Sequence, residues 1–326
     1  MGKRILIVVA GLLVFLIFLG CQKDKSTGGT ADSSKKNITV VLMALNSDYW
    51  GMMEDGAKIA GKEFGYNVNV IAPTDEANAI DQMNMVEDLI SKKVSAIVLA
   101  PSDSAALVAS AKKAKDNGIP FILVDSILDD DAVYDSYIGT PNFTAGKMAG
   151  EYLASKLKPG DKVGIIRGMP GRPNHDGRTN GALEAFKSAG INVVAVQSAD
   201  GDMGKSVTVA ENILQSTPDI KAIYCTADTM ALGSYQTVEG LKKQGQIMVF
   251  GFDGSGPALD SIAAGQITGT LAQMPIELGY LGVKAAIDRI EGRSTLKTID
   301  GDTRIIDADT VNDFKSYISN RRAQAK

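Results

Sequence analysis

Short apolar runs alternate along this chain with segments in which apolar residues recur at helical spacing. The first such run covers residues 38–43, and further runs lie at 66–71, 94–100 and 119–125. The helical stripe after the first run consists of Trp50, Met53, Ala57, Ala60 and Phe64. Because the runs are nearly continuous, they predict parallel β-strands that are covered by helices on both faces.

A second series of the same kind begins after Pro141. Its strand-like runs cover residues 162–167, 192–197, 221–226, 247–252 and 267–272. The two series predict an α/β protein made of two similar doubly wound lobes with parallel sheets. The last long helical stripe, at 276–290, is compatible with packing on either lobe.

The first residues differ from the rest in pattern. Two basic residues at positions 3 and 4 precede an apolar run at 5–20, which is the pattern of an export signal. This run is shorter than the ~20 residues that a membrane-spanning helix needs. Residues 1–20 therefore predict a signal peptide, and the polar segment 21–36 predicts a flexible tether.

The apolar run ends in Phe18-Leu19-Gly20-Cys21, which resembles a bacterial lipobox. The resemblance implies that the signal peptide is that of a lipoprotein and that Cys21 carries the lipid anchor. The alternative is a plain signal peptide followed by an incidental cysteine. With Cys21 lipidated, Cys225 has no partner for an intrachain disulfide.

Composition restricts the chemistry. The chain has 326 residues and a net charge of −4, which gives no indication of nucleic acid binding. A single histidine, His175, argues against most metal sites and acid–base triads. The sequence also contains no GxxxxGK[ST], GxSxG, CxxC or HExxH motif. We therefore expect no metal, no cofactor, no catalytic residues and no enzymatic activity.

Aspartates recur where the apolar runs end. Asp125 follows the run 122–124, Asp228 follows 223–227, and Asp253 follows 249–252. In open parallel sheets, ligands bind outside the carboxyl ends of the strands. These side chains therefore predict a ligand site at that edge.

Several motifs resemble, in order and spacing, those of periplasmic sugar-binding proteins of the ribose/galactose type. That family shares its fold with the effector domain of LacI-type repressors. The motifs are NSDYW at 46–50, IVLAPSD at 97–103, PFILVD at 120–125, DTMALG at 228–233, VFGFDG at 249–254 and LAQMP at 271–275.

The resemblance implies a type I periplasmic binding protein-like fold, in which two lobes are joined by a three-strand hinge. The hinge strands should fall near residues 139–140, 273–274 and 300–301. The N-terminal lobe would then comprise 37–139 plus 274–300, and the C-terminal lobe 140–273 plus 301–326. In such proteins the lobes close around the ligand.

The resemblance also implies which residues bind the ligand. Tyr49 and Trp50 would stack on a sugar ring, and carboxylates and amides would bond its hydroxyls. The implied polar and neighbouring residues are Asn46, Asp125, Ser126, Arg172, Asn174, Arg178, Ala227, Asp253 and Gln273. Trp50 could instead be a core residue, and an aspartate could instead cap the next helix. For Asp228 we expect support of the helix that follows it.

Two positions depart from the ribose-type pattern. Those members carry arginine where this chain has Ser126, and asparagine where it has Ala227. An unsatisfied buried hydroxyl costs about 1–3 kcal/mol, so a ligand that needs both partners would bind poorly. Ribose itself is therefore not expected, and another monosaccharide or a sugar-like ligand is.

The resulting hypothesis is a lipid-anchored, monomeric, extracytoplasmic protein that captures a sugar and delivers it to the membrane subunits of an ABC permease. One alternative is a receptor that feeds a sugar-like signal or a polyol into chemotaxis. A remote alternative is an extracytoplasmic glycoside-acting enzyme in which two of the carboxylates flank the bond. A DNA-binding regulator is disfavoured by the export signal and the missing helix-turn-helix.

Overall fold

The computed structural model describes residues 36–45, 47–76 and 78–326. Some of the predictions fall outside the described residues. They are the signal peptide, Cys21, Asn46 and all but the last residue of the tether. Among the residues that are described, no helix is both long and apolar enough to cross a membrane.

Strands and helices alternate through most of the described chain. The strands are β1 (Asn37–Val41), β2 (Asn67–Ile71), β3 (Ala96–Leu99), β4 (Phe121–Val124), β5 (Ser136–Gly139), β6 (Lys162–Arg167), β7 (Asn192–Ser198), β8 (Ala222–Cys225), β9 (Met248–Asp253), β10 (Gly269–Gln273), β11 (Thr298–Asp300) and β12 (Thr303–Asp307). The helices are α1 (Asp48–Phe64), α2 (Ala79–Ser91), α3 (Val108–Asp116), α4 (Asn142–Ser155), α5 (Pro173–Ser188), α6 (Met203–Ser216), α7 (Asp228–Gly240), α8 (Gly256–Ala263), α9 (Pro275–Ile290) and α10 (Val311–Ala325).

The strands form two six-stranded sheets, each the centre of one lobe. The first has the order β11-β5-β4-β3-β1-β2, and all its pairings are parallel. The second has the order β12-β10-β9-β8-β6-β7, in which only β12 is antiparallel to its neighbour. Apolar clusters lie on both faces of each sheet. The prediction of two doubly wound lobes is confirmed.

Helix α9 packs on the first lobe, which the periodicity had left open. It contacts α1 and strands β3, β4 and β5. Gly279 allows this close approach, because a Cβ atom there would lie 2.0 Å from the carbonyl oxygen of Met53. The chain therefore returns from the second sheet to the first before β11.

The chain passes between the two sheets three times: after β5, after β10 and after β11. These crossings lie where the resemblance implies the three hinge strands. The residue ranges assigned to each lobe remain a prediction.

The last helix, α10, contacts both lobes. Val311 and Phe314 are buried in the core of the second lobe. Further along the helix, Ala325 is buried in a cluster with Met52, Ile59 and Ile276 of the first lobe. The predicted division places all of this helix in the C-terminal lobe, whereas its contacts extend across the boundary.

Ion pairs reinforce this bridge. Arg321 donates to both carboxylate oxygens of Glu277 in α9, at 2.9 and 3.0 Å, and Tyr317 donates to the same carboxylate at 2.6 Å. Arg322 pairs with Asp48 at 2.6 Å and with Asp55 at 2.8 Å, both in α1.

We expect Arg321→Ala to lower the free energy of unfolding by about 1 kcal/mol, because it removes a bidentate pair whose side chains are only 23% and 26% exposed. Lys315→Ala is the matched control, since Lys315 pairs with the 76% exposed Asp260 within one lobe. That exposed pair should contribute roughly 0–0.5 kcal/mol. Urea unfolding of the two variants measures both values, and equal losses would contradict the expectation.

Candidate ligand-binding site

Both predicted binding aspartates have an unusual backbone. Asp125 has a φ angle of 66° and Asp253 one of 120°. The amide of Ser126 donates to the carbonyl of Val124 at 2.7 Å, which closes a three-residue turn around Asp125. Residues other than glycine rarely adopt positive φ, at a cost of about 1–3 kcal/mol, and such strain clusters at functional sites. The strain therefore marks both strand ends as candidate positions of the ligand site.

In the first lobe, Asp125 is the centre of a hydrogen-bonded group. The Tyr49 hydroxyl donates to its Oδ1 at 2.5 Å, and the Ser126 hydroxyl donates to its Oδ2 at 2.9 Å. The Tyr137 hydroxyl donates to its backbone carbonyl at 3.0 Å. These bonds bring together three of the predicted site residues, Tyr49, Asp125 and Ser126.

Trp50 lies next to this group and is also part of the core. Its ring meets the Tyr49 ring edge to face, with centroids 5.0 Å apart and an interplanar angle of 84°. Only 4% of Trp50 is exposed, and it is buried among Met53, Ala57 and other core residues. Its indole N–H donates to Glu76 Oε1 at 2.6 Å. Sequence reasoning did not identify Glu76, because no motif around this residue indicates a contact with Trp50.

In the second lobe, a buried arginine organises the polar residues. Arg178 is 4% exposed and donates from Nε to Asn142 Oδ1 at 2.9 Å. Its Nη1 donates to the Thr226 carbonyl at 3.0 Å and to Asp253 Oδ1 at 3.1 Å. The guanidinium carbon lies 3.8 Å from the centroid of the Phe252 ring. A buried charge requires such hydrogen-bond and ion-pair partners, because removing an ion from water costs on the order of several kcal/mol.

Gln273 joins this group to a chain crossing. Its Nε2 donates to Asp253 Oδ1 at 2.8 Å, and its Oε1 accepts from the Thr140 hydroxyl at 2.7 Å. Gln273 ends β10, and Thr140 follows β5, so the amide connects two of the three crossings. Thr140 and Asn142 were not predicted as site residues, although the same strand-end reasoning applies to the end of β5.

Charged groups of the two lobes act on one another at the strand ends. Burial raises the pKa of Asp125 and of Asp253, and the positive charge of Arg178 opposes the rise in both. The Asp125 carboxylate adds to the rise in the pKa of Asp253. The protonation of Asp253 in the second lobe therefore depends on the charge of Asp125 in the first.

The segment after β6 holds two of the predicted residues, Arg172 just before α5 and Asn174 in its first turn. The Asn174 side chain accepts a bond from the His175 amide at 2.9 Å, which is a local contact. Arg172 is exposed. The amides of Ala106 and Ala105 lower the pKa of Asp103 in the first lobe, and the charge of Arg172 contributes to the same shift.

The remaining predicted positions are accounted for as follows. Ala227 is 8% exposed and precedes the first turn of α7, so it offers only a methyl group to the site. Asn46 lies outside the described residues. Among the residues that the structure describes, no group of three or more His, Cys, Asp or Glu side chains could hold a metal ion.

Asp228 has a different role from the one predicted. It is the first residue of α7, but its carboxylate accepts from the Ser255 amide and from the Thr270 hydroxyl, both at 2.7 Å. Ser255 is the N-cap of α8, so Asp228 supports the start of α8 rather than of its own helix. The close approach requires Gly251, where a Cβ atom would lie 2.3 Å from Asp228 Oδ1.

His175 gives a pH-dependent prediction. Burial, together with the charges of Arg178 and Arg167, lowers its pKa from 6.5 to about 4. As the pH falls from about 6.5, the unfolded chain takes up a proton at this residue and the folded protein does not. The stability conferred by neutral His175 is therefore lost as the pH falls toward about 4.

The variant His175→Gln isolates this effect, because its other titrating groups are those of the wild type. We expect the difference in unfolding free energy, wild type minus variant, to decrease from pH 7 to pH 4.5. Urea unfolding at several pH values measures it. A difference that is constant with pH would show that His175 is not held neutral.

Comparisons with known proteins show the family and the fold of this chain. The family model of the periplasmic binding protein domain matches residues 38–294. The D-allose-binding periplasmic protein of Escherichia coli is 37% identical over 267 residues, covering 79% of this chain and 86% of that protein. The ribose import binding protein of Bacillus subtilis is 32% identical over 301 residues, covering 91% of this chain and 96% of that protein.

A solved structure shows the same fold. The periplasmic solute binding protein of an ABC transporter from Actinobacillus succinogenes, with bound D-allose, has a TM-score of 0.80 and 29% identity, and the match covers 86% of this chain and 100% of that one. The resemblance and the fold class inferred from the sequence are confirmed. The prediction that the protein is not an enzyme is confirmed too, because its relatives are solute-binding proteins of transporters. This chain belongs to the periplasmic binding protein family.

Proposed function

We propose that this protein captures a monosaccharide between its two lobes and delivers it to an ABC permease. The observation that carries the proposal is the pair of strand-end aspartates, Asp125 and Asp253. They lie at the ends of strands in different sheets, both have positive φ angles, and the Asp125 carboxylate contributes to the raised pKa of Asp253. A ligand that bonds to both would hold the lobes together.

The surrounding groups suit a sugar. Each sugar hydroxyl both donates and accepts, so it requires acceptors such as carboxylates beside donors such as guanidinium and amide N–H groups. Asp253 provides the acceptor beside Arg178 and Gln273, and Asp125 provides one beside Tyr49 and Ser126. The Tyr49 ring offers a face for the apolar C–H groups of the sugar.

Two positions and the relatives together support a choice of sugar. The similar proteins named above bind D-allose or ribose. Ser126 offers one hydroxyl, which already donates to Asp125, and Ala227 offers no polar group. We therefore propose a monosaccharide other than ribose, with D-allose as the first candidate.

The location follows from the N-terminal sequence. We propose that the lipid on Cys21 anchors a monomer outside the cytoplasmic membrane, where the tether lets it reach the permease. In cells grown with a labelled fatty acid, the wild type should incorporate the label and Cys21→Ser should not. A variant that incorporates as much label as the wild type would contradict the anchor and leave the proposed binding site unaffected.

We expect a thermal-shift screen of pentoses, hexoses and polyols to yield a monosaccharide ligand. Asp125→Asn and Asp253→Asn should then each weaken its affinity by about 10- to 100-fold, because each removes charge-assisted hydrogen bonds. Titration calorimetry measures the change. Asp116→Asn, an exposed acid in α3 paired with Lys112, is the control and should leave affinity unchanged.

Two outcomes would count against the proposal. A ligand that binds both aspartate variants as tightly as the wild type would place the site elsewhere. A screen in which no sugar binds but an amino acid does would overturn the ligand class, and a hit among polyols alone would favour the signalling receptor.

A further inference from the structure

The Trp50 side chain is held by a residue that belongs to no predicted motif. Glu76 lies in the loop between β2 and α2, exposed to solvent, and its Oε1 accepts the indole N–H at 2.6 Å. The bond is charge-assisted and therefore about twice as strong as a neutral one. It connects this loop to the first turn of α1.

The two aromatic side chains at the start of α1 are thus each hydrogen-bonded to a carboxylate. The Tyr49 hydroxyl donates to Asp125, and the Trp50 indole N–H donates to Glu76. Between them the rings meet edge to face at 5.0 Å. Glu76 also lies close enough to Asp125 to contribute, after burial, to the raised pKa of that carboxyl group.

We propose that Glu76 is a positioning residue for the ligand: it fixes the orientation of the Trp50 indole, and through the edge-to-face contact it fixes the Tyr49 ring. This inference rests on the proposed function, since Tyr49 is the ring offered to the sugar. It assigns to Glu76 an effect on affinity that acts through Trp50 and not through contact with the ligand.

The physical reason is the torsional freedom of an aromatic side chain. The χ2 torsion of tryptophan is broad, so the side chain has no single orientation that its own covalent geometry imposes. A hydrogen bond to its only polar atom removes that freedom. Restricting a binding group before the ligand arrives reduces the entropy that is lost on binding.

Trp50 is the only tryptophan of the chain, so its fluorescence reports this site directly. In ligand-free protein, we expect Glu76→Ala to shift the emission and to increase quenching by acrylamide. Glu76→Gln keeps an acceptor and should restore most of the wild-type signal. Asp88→Ala removes an equal charge from α2, where Asp88 pairs with Lys92, and should change neither signal.

A double-mutant cycle tests the effect on affinity, with D-allose and the other sugars of the screen as probes. Trp50→Phe keeps a ring but lacks the N–H. We expect Glu76→Ala to weaken affinity about 5- to 10-fold in the wild type and to add less than about 2-fold in the Trp50→Phe background. Glu76→Gln should recover most of the affinity.

Several results would overturn the inference. Unchanged fluorescence in Glu76→Ala would show that Glu76 does not hold the indole. An equal loss of affinity in both backgrounds would show that Glu76 acts on the ligand directly. If no sugar binds the wild type, the proposed function fails, whereas the ligand-free quenching still decides whether Glu76 restrains Trp50.

Discussion

The buried guanidinium of Arg178 is the constraint on which the candidate site depends. A charge that is 4% exposed has to be neutralised and hydrogen-bonded. Asp253, the Thr226 carbonyl and Asn142 provide this, and they come from three separate parts of the second lobe. Gln273 bonds to Asp253 and to Thr140, and it thereby connects this group to a crossing of the chain between the lobes. The arginine therefore fixes the geometry of Asp253 before any ligand arrives.

The two halves of the site are built differently. In the second lobe an ion pair and an amide determine the geometry, so Asp253 is oriented by charge. In the first lobe the hydroxyls of Tyr49 and Ser126 orient Asp125, without a cation among the hydrogen bonds described there. A carboxylate with neutral partners keeps more of its charge available to a ligand than one already paired. The first lobe therefore presents a carboxylate held by neutral groups, and the second lobe presents one held beside cationic and amide donors.

Much of this organisation could be predicted from sequence, because buried parallel strands are continuous apolar runs and polar residues at their ends share one edge. Asp125 and Asp253 are found in this way, and the resemblance adds Tyr49, Arg178 and Gln273. Glu76 could not be found so, since it acts through Trp50, a partner distant in sequence, whereas the same reasoning applied to the end of β5 would have included Thr140. Asp228 was misassigned because an aspartate before a helix usually caps it, whereas here the missing Cβ at Gly251 lets the carboxylate turn toward α8.

The positive φ angles at Asp125 and Asp253 are tolerated because each carboxylate also satisfies a buried partner. Glycine would adopt either conformation without steric cost, but it would leave Arg178 without its carboxylate partner in one lobe and the Tyr49 hydroxyl without its acceptor in the other. In diverged relatives each aspartate should therefore change together with its partner, Asp253 with Arg178 and Asp125 with Tyr49. A comparison of sequences can reveal this covariation without any binding measurement.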